Sequence, residues 1–343
     1  MVNRPRTRRP RQAVQAALAA VLVALPVTGA ARPADVPAPA PTVRAALGTV
    51  TPASLAARYA ATRQDVEAAE RMAAGHGDGR RAAALRALTD TGRHLLAFDG
   101  RHGGRSVEVF GDLARAERVA VLVPGADTTV DDSWRLRGAA RALERELPPG
   151  SAVVAWLGYR TPATVSLAVL NDRRGANAAS ALSGFVGELT RALPHARTSL
   201  VCHSYGTVVC AHAAARVDAA DVVLCGSPGT GFPDVGSLHT RATVWAGRGG
   251  DDWIGDVPHV RWGLGFAEVG LGADPVSAAF GARVFDAGDG GHADYFEPGS
   301  VSLRNIARIV ANGSPAGAAP ADPVDATPSG TVPTGAASAA GHA

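Results

Sequence analysis

From about residue 105 onward, short β-branched and aliphatic runs alternate with longer stretches rich in Ala and Leu. Ser106–Phe110, Val119–Val123, Ala152–Trp156, Thr198–Cys202 and Val222–Cys225 are compact apolar runs, the length and composition of buried strands. Arg241–Trp245 and Arg283–Phe285 read as two further strands. Between them lie helical patterns. One starts at Asp131/Asp132/Ser133, expected to act as caps, and runs to Leu147, where Pro148-Pro149-Gly150 stops it. Others cover Asn177–Leu193, Tyr205 to about Arg216, and Ser300–Val310. Upstream, Ser54–Met72 carries Leu55, Tyr59, Val66 and Met72 on one side and ends at Gly75-His76-Gly77-Asp78-Gly79, before a second helix from Arg81 to about Thr91.

Strand and helix units repeated in this way predict an α/β fold of three layers, with a mostly parallel central sheet covered on both faces. Right-handed crossovers would then gather the loops that follow the strands along one edge. The domain is expected over 105–310, preceded by an N-terminal helical region at 51–104 that is either an appendage or a lid. Residues 31–50 are Pro/Ala-rich and read as an extended or flexible linker, and 311–343 as a disordered Ala/Pro/Gly-rich tail.

Composition and charge modify this picture mainly at the ends. The chain is 46% hydrophobic but only 5% aromatic, which argues against a base-stacking nucleic-acid surface. The formal charge of +3 is misleading, because Arg4, Arg6, Arg8, Arg9 and Arg11 precede residue 30 and no acid does. Without those five, 29 of the 34 arginines face 31 acidic residues, a net of about −2 that gives no case for a polyanionic partner. The Arg-rich start, the apolar run Ala13–Leu25 and the small residues Thr28-Gly29-Ala30-Ala31 have the three-part form of a signal peptide over 1–30. A secreted or envelope-associated protein is expected, with an uncleaved N-terminal anchor as the alternative. Three cysteines are too few for a disulfide scaffold and are expected as small core hydrophobes, with a single Cys202–Cys225 bridge between neighbouring strands as the alternative.

The chemistry centres on Val201-Cys202-His203-Ser204-Tyr205-Gly206. A serine at a tight strand-to-helix turn projects from the sheet edge, with a helix N-terminus beside it to stabilise negative charge. The usual pattern has glycine two residues before the serine, where this chain has Cys202. A serine hydroxyl needs a base. Among ten histidines, His292 in Asp289-Gly290-Gly291-His292-Ala293-Asp294-Tyr295 is best placed, after the last strand and before the last helix. His203 would diverge from Ser204 at the turn and is expected to help hold the elbow. In this fold the orienting acid comes between serine and histidine in chain order. Asp252 is favoured over Asp251, with Asp234, Asp256, Asp289 and Asp294 lower in order. The amides of Tyr205 and of Ala126, in Pro124-Gly125-Ala126-Asp127, are the expected oxyanion donors. No cofactor or metal is expected.

These motifs together resemble the actinobacterial α/β-hydrolase family catalogued as a domain of unknown function, DUF1023. The likeness spans about residues 105–310. It is carried by Val121-Leu122-Val123-Pro124-Gly125, Trp156-Leu157-Gly158-Tyr159, His203-Ser204-Tyr205-Gly206, Gly226-Ser227-Pro228-Gly229, Asp252-Trp253-Ile254, Gly263–Pro275, Gly291-His292-Ala293-Asp294-Tyr295-Phe296 and Ser302-Leu303-Arg304-Asn305-Ile306. The resemblance implies Ser204 as nucleophile, Asp252 as acid and His292 as base. Cys202, Cys210 and Cys225 stand where the family commonly has glycine. The expected activity is that of a carboxylic-ester hydrolase on a small-molecule or lipid-like ester, with no nucleic-acid partner and no transmembrane domain after leader removal. The alternatives are a peptidase, amidase or thioesterase, or a non-catalytic hydrolase-fold module that binds envelope material.

Overall fold

The computed structural model describes residues 36–163, 172–257, 262–263, 268–269 and 271–313. The signal peptide expected at 1–30 and the tail beyond residue 313 lie outside them. In chain order the strands are β1 (His94–Asp99), β2 (Arg105–Gly111), β3 (Arg118–Val123), β4 (Ser151–Leu157), β5 (Arg197–His203), β6 (Asp221–Cys225) and β7 (Thr243–Gly247). A two-residue pair, β8 (Trp262–Gly263) with β9 (Glu268–Val269), precedes β10 (Arg283–Val284). The helices are α1 (Pro52–Gly75), α2 (Gly79–Leu88), α3 (Trp134–Glu146), α4 (Asp172–Ala192), α5 (Gly206–Ala213) and α6 (Val301–Asn312).

One eight-stranded sheet runs in the order β1-β2-β4-β3-β5-β6-β7-β10. Every neighbour from β4 across to β10 is parallel; β1–β2 and β2–β4 are antiparallel. The central strands are buried throughout, so they are apolar on both faces rather than alternating. Val119, Val121 and Val123 of β3 join one core with Leu182, Val186 and Leu189 of α4 and Val208 and Val209 of α5. Ala120 and Leu122 point the other way, into a second core with Leu136, Ala140 and Leu143 of α3 and Ile306, Ile309 and Val310 of α6. Helices therefore cover both sheet faces, giving the three layers of the α/β-hydrolase fold.

The helix ends follow local chemistry. Thr51 caps α1 in a reciprocal capping box, its hydroxyl accepting from the Ser54 amide at 3.1 Å and its own amide donating to Ser54 Oγ at 2.9 Å, with Pro52 at the first turn. Ser300 Oγ caps α6, and Gly313 closes it in the left-handed region at φ 67°. The acidic caps expected for α3 do not form. Val130–Asp132 make a 3-10 turn of their own, Ser133 makes no side-chain cap bond, and Asp131 pairs with Arg81 at 2.5 Å.

Two features of the N-terminal part differ from expectation. Within 51–104, residues His94–Asp99 form strand β1, whose register against β2 shifts between Leu95 and Ala97. Leu95 packs in one core and Leu96 in the other, and past the bulge Phe98 rather than Ala97 returns to the core of Leu95, which breaks the period of two by which a strand is recognised. The Pro-rich stretch from residue 36 has no helix or strand and is anchored to the domain. Arg44 pairs with Asp65, Leu47 donates its amide to Glu188, and Val36 and Ala38 pack on one core while Leu47 and Val50 pack on the other. Among the described residues no helix is long and apolar enough to cross a membrane.

Candidate active site

Four loops meet at the C-terminal edge of the parallel strands, the ones leaving β3, β5, β7 and β10. β5 ends at His203 and α5 begins at Gly206, so the chain reverses within two residues. Ser204 occupies the left-handed region at φ 54°, a strained conformation for a non-glycine residue. The strain is held by hydrogen bonds: the Ser204 N–H donates to the Cys225 carbonyl at 3.0 Å, and the Thr207 N–H donates to the Ser204 carbonyl at 2.9 Å. Thr207 Oγ1 also meets Ser227 Oγ at 2.7 Å, tying α5 to the loop after β6. Glycine at 206 is obligatory, because a Cβ there would lie 2.6 Å from the Val123 carbonyl oxygen and 2.7 Å from that of Pro124. The elbow thus sits directly on the loop after β3.

Position 202 tolerates cysteine because its side chain points into the core beneath the turn. It forms a disulfide with Cys210, on α5, across a Cα separation of 6.5 Å. This corrects the expectation that Cys202 and Cys210 are unpaired core thiols, and the bridge is not the alternative Cys202–Cys225 pairing either. Cys202 pairs in register with Leu224 and His203 with Cys225, so Cys202 and Cys225 lie on opposite sheet faces, and Cys225 is a buried free thiol.

A continuous hydrogen-bonded chain runs from the elbow. His292 Nε2 lies 2.9 Å from Ser204 Oγ, and His292 Nδ1 lies 2.9 Å and 3.1 Å from Asp252 Oδ1 and Oδ2. With the Nδ1 proton donated to the carboxylate, Nε2 is left as the acceptor for the serine hydroxyl proton. Asp252 is the N-cap of the short 3-10 turn Trp253–Asp256, its Oδ1 accepting from the Ile254 amide at 2.9 Å. Burial alone would raise this carboxyl, but the hydrogen bonds from His292, Tyr295 and the Ile254 amide outweigh it and hold its pKa below the ordinary carboxylate value. Glycines let the acid and histidine loops touch: a Cβ at Gly249 would fall 1.9 Å from the Gly290 carbonyl oxygen, and the Gly250 amide donates to Gly288.

The loop after β3 is pinned from the side of β4. Tyr159 donates its hydroxyl to the Pro124 carbonyl at 2.6 Å, the Asp127 amide donates to Pro162, and Thr161 Oγ1 donates to Thr128. Gly125 is pressed against the serine, its imaginary Cβ 2.5 Å from Ser204 Cβ. A cleft of about 290 Å³ opens over this point. Ala126, Ser204, Tyr205 and His292 all line it, with Leu136, Trp253, Ile254 and Phe296 among its apolar walls.

The remaining sequence candidates are placed elsewhere. Asp251 is exposed while its neighbour Asp252 is buried. Asp294 caps its own loop, accepting from the Gly291 amide, and Asp234 accepts from Ser237. His203 lies under the histidine loop, its ring 4.9 Å from that of His292, and its Nε2–H donates to the His292 carbonyl at 2.7 Å. It therefore holds the histidine loop as well as bordering the elbow. Burial first, and then the neighbouring His292 ring, push its pKa down to about 4. No helix of 51–104 borders the cleft; α1 packs on β1 instead. Tyr295 and Trp253 were missed as site residues. The half-exposed Trp253 ring lies 4.9 Å from that of His292 and is tilted to it by 52°, and Tyr295 donates to Asp252. Only their closeness in sequence to Asp252 and His292 signalled them.

Residues 99–262 match the family model described as "Alpha/beta hydrolase". The chain is 31% identical over 255 residues to two proteins of Mycobacterium tuberculosis, "Uncharacterized protein MT2140" of strain CDC 1551 / Oshkosh and "Uncharacterized protein Rv2079" of strain ATCC 25618 / H37Rv. Those matches cover 62% of this chain and 38% of each relative, so the chain spans well under half of their length. Among solved structures it is similar to a serine hydrolase without lid from Xanthomonas campestris, at 18% identity over 64% of this chain and 93% of that one, TM-score 0.42. It is also similar to the esterase LipW from Mycobacterium marinum, at 16% identity over 72% and 88% of the two chains, TM-score 0.38.

Proposed function

We propose that this chain is a serine hydrolase that cleaves a carboxylic ester through an acyl-enzyme on Ser204. The observation that carries the reading is the chain of hydrogen bonds from Ser204 Oγ through both nitrogens of His292 to Asp252, opening into a single cleft. In the first half-reaction Ser204 Oγ bonds to the ester carbonyl carbon while its proton passes to His292 Nε2. The carbonyl oxygen becomes an oxyanion beside the amides of Tyr205 and Ala126. On collapse the carbon–alkoxy bond breaks, and the alcohol departs with the proton from Nε2. A water molecule then repeats the sequence against the acyl-enzyme, releasing the acid and restoring Ser204. Asp252 keeps its charge throughout and orients the imidazole. Neither step requires a metal or organic cofactor.

Ester is favoured over amide or thioester by the expectation for this fold rather than by a contact in the cleft. Membership of the narrower actinobacterial family DUF1023 is part of the same reading, supported by the motifs that cluster at the cleft. So is export to the cell surface or beyond, supported by the Cys202–Cys210 disulfide, a bond rare in reducing compartments.

Purified protein is expected to be labelled by a fluorophosphonate at Ser204, located by mass spectrometry of the modified peptide, and Ser204→Ala to lose the label. A chain-length series of p-nitrophenyl esters then defines the acyl group. Asp252→Asn should lower kcat by about 10³–10⁴-fold through loss of the imidazole tautomer. Greater loss in Asp251→Ala than in Asp252→Asn would overturn the acid assignment, and absence of any label would favour a binding module.

A further inference from the structure

The carboxylate of Asp252 has one partner that a serine–histidine–acid chain does not require. Tyr295 is buried at 2% exposure, and its hydroxyl donates to Asp252 Oδ2 at 2.6 Å. The same hydroxyl accepts from the Gly249 amide at 3.0 Å, so its single proton is committed to the carboxylate. From the geometry we infer that Tyr295 is a positioning residue of the hydrolase site, fixing the rotation of the Asp252 carboxylate and taking up part of its charge. This inference rests on the serine hydrolase reading above.

Both oxygens of Asp252 are accounted for. Oδ1 accepts from the Ile254 amide and from His292, and Oδ2 accepts from Tyr295 and, at longer range, from His292. Without Tyr295, Oδ2 of a buried carboxylate is left with the longer His292 contact, and the group can swing about its Cβ–Cγ bond. Such a change costs more than a single exposed hydrogen bond, because the atom that loses its donor is charged and desolvated.

The surroundings keep the tyrosine in place. Ser302 Oγ donates to the Tyr295 backbone carbonyl at 2.7 Å, joining the histidine loop to α6. The His203 ring lies 5.5 Å from the Tyr295 ring. Gly226 follows β6 at φ 55°, and a Cβ there would come within 2.8 Å of Asp252 Oδ2 and 3.1 Å of the Tyr295 hydroxyl. Glycine at the head of Gly226-Ser227-Pro228-Gly229 therefore leaves the space in which the two groups meet. Burial and the Asp252 hydrogen bond together push the Tyr295 hydroxyl well above its usual range, so it stays a donor at every working pH. The titratable groups around the pair are His292, His203 and the Cys225 thiol.

The test is Tyr295→Phe in the full-length protein, read by the rate of fluorophosphonate labelling and by the pH profile of kcat/KM on a p-nitrophenyl ester. Labelling is expected to slow by tenfold or more with KM little changed. Because the unshared carboxylate holds the imidazolium more strongly, the acidic limb should move to higher pH. Labelling within twofold of wild type, with the limb unmoved, would overturn the proposal; a loss of thermal stability alone would leave Tyr295 a packing residue and would also overturn it. If Tyr295→Phe does not fold, 3-fluorotyrosine introduced at position 295 keeps the ring and the hydroxyl while strengthening the donor, and is expected to move the limb the opposite way. The downfield proton signal of the His292 Nδ1–H in the resting protein is a readout independent of turnover. If wild type is not labelled, the hydrolase reading falls. A signal that moves in the variant would still support the contact, and an unchanged signal would overturn it as well.

Discussion

Two residues two positions apart, Cys202 and Ser204, are set in opposite environments by the elbow, and the residue between them carries a pH consequence. His203 is held neutral, with its Nε2–H on the His292 carbonyl and its pKa near 4 rather than 6.5. In the unfolded chain the same imidazole takes up a proton near 6.5, so between those values the unfolded state binds more protons than the folded one. The stabilisation from His203 is therefore complete above about pH 6.5 and is lost as pH falls toward about 4. Thermal melts across that range should show the midpoint falling, and His203→Gln, which cannot take up the proton, should flatten that part of the curve. An equally steep fall in the variant would assign the acid sensitivity to other groups.

At the scale of elements, the joint between β5 and α5 sets the position of Ser204. α5 is only eight residues long and almost wholly buried, too short to be stable by itself. The Cys202–Cys210 disulfide joins its first turns to the strand that presents Ser204. Closing a loop of this size is expected to contribute about 2–3 kcal/mol through the unfolded chain. The double variant Cys202→Ala/Cys210→Ala should lower stability in chemical denaturation by that order and slow labelling of Ser204. Wild type treated with reductant in mild denaturant should move toward the variant. Equal stability of the variant and the oxidised protein would mean that the bridge does not constrain the joint.

Across the whole molecule, the stretch from residue 36 joins parts that the sheet alone does not connect. It packs apolar side chains on both cores and exchanges bonds with α1 and α4 far from the cleft. Removing residues 36–50 takes away the Arg44–Asp65 pair, the Leu47–Glu188 bond and the apolar side chains packed on the two cores. Such a truncation should lower the melting temperature while leaving the labelling rate of Ser204 close to that of the full chain. A large loss of labelling at unchanged stability would instead connect this stretch to the site.

Much of this architecture could be read in the chain, because buried parallel strands and amphipathic helices have separate hydrophobic periods, and their order alone implies a layered sheet. Ser204, Asp252 and His292 stood out for the same reason: each follows a strand that must end on the same sheet edge. Strand β1 was hidden by its bulge. The Cys202–Cys210 pairing was hidden because a cysteine's partner depends on which sheet face its side chain meets, and a register known to within one residue reverses that face. Asp252 is favoured over Asp251 by the chain itself, whereas Tyr295 as a partner of Asp252 and His203 as the support of the histidine loop are set only in three dimensions. Each depends on distances of about 3 Å between loops that the sequence places on one edge but cannot orient.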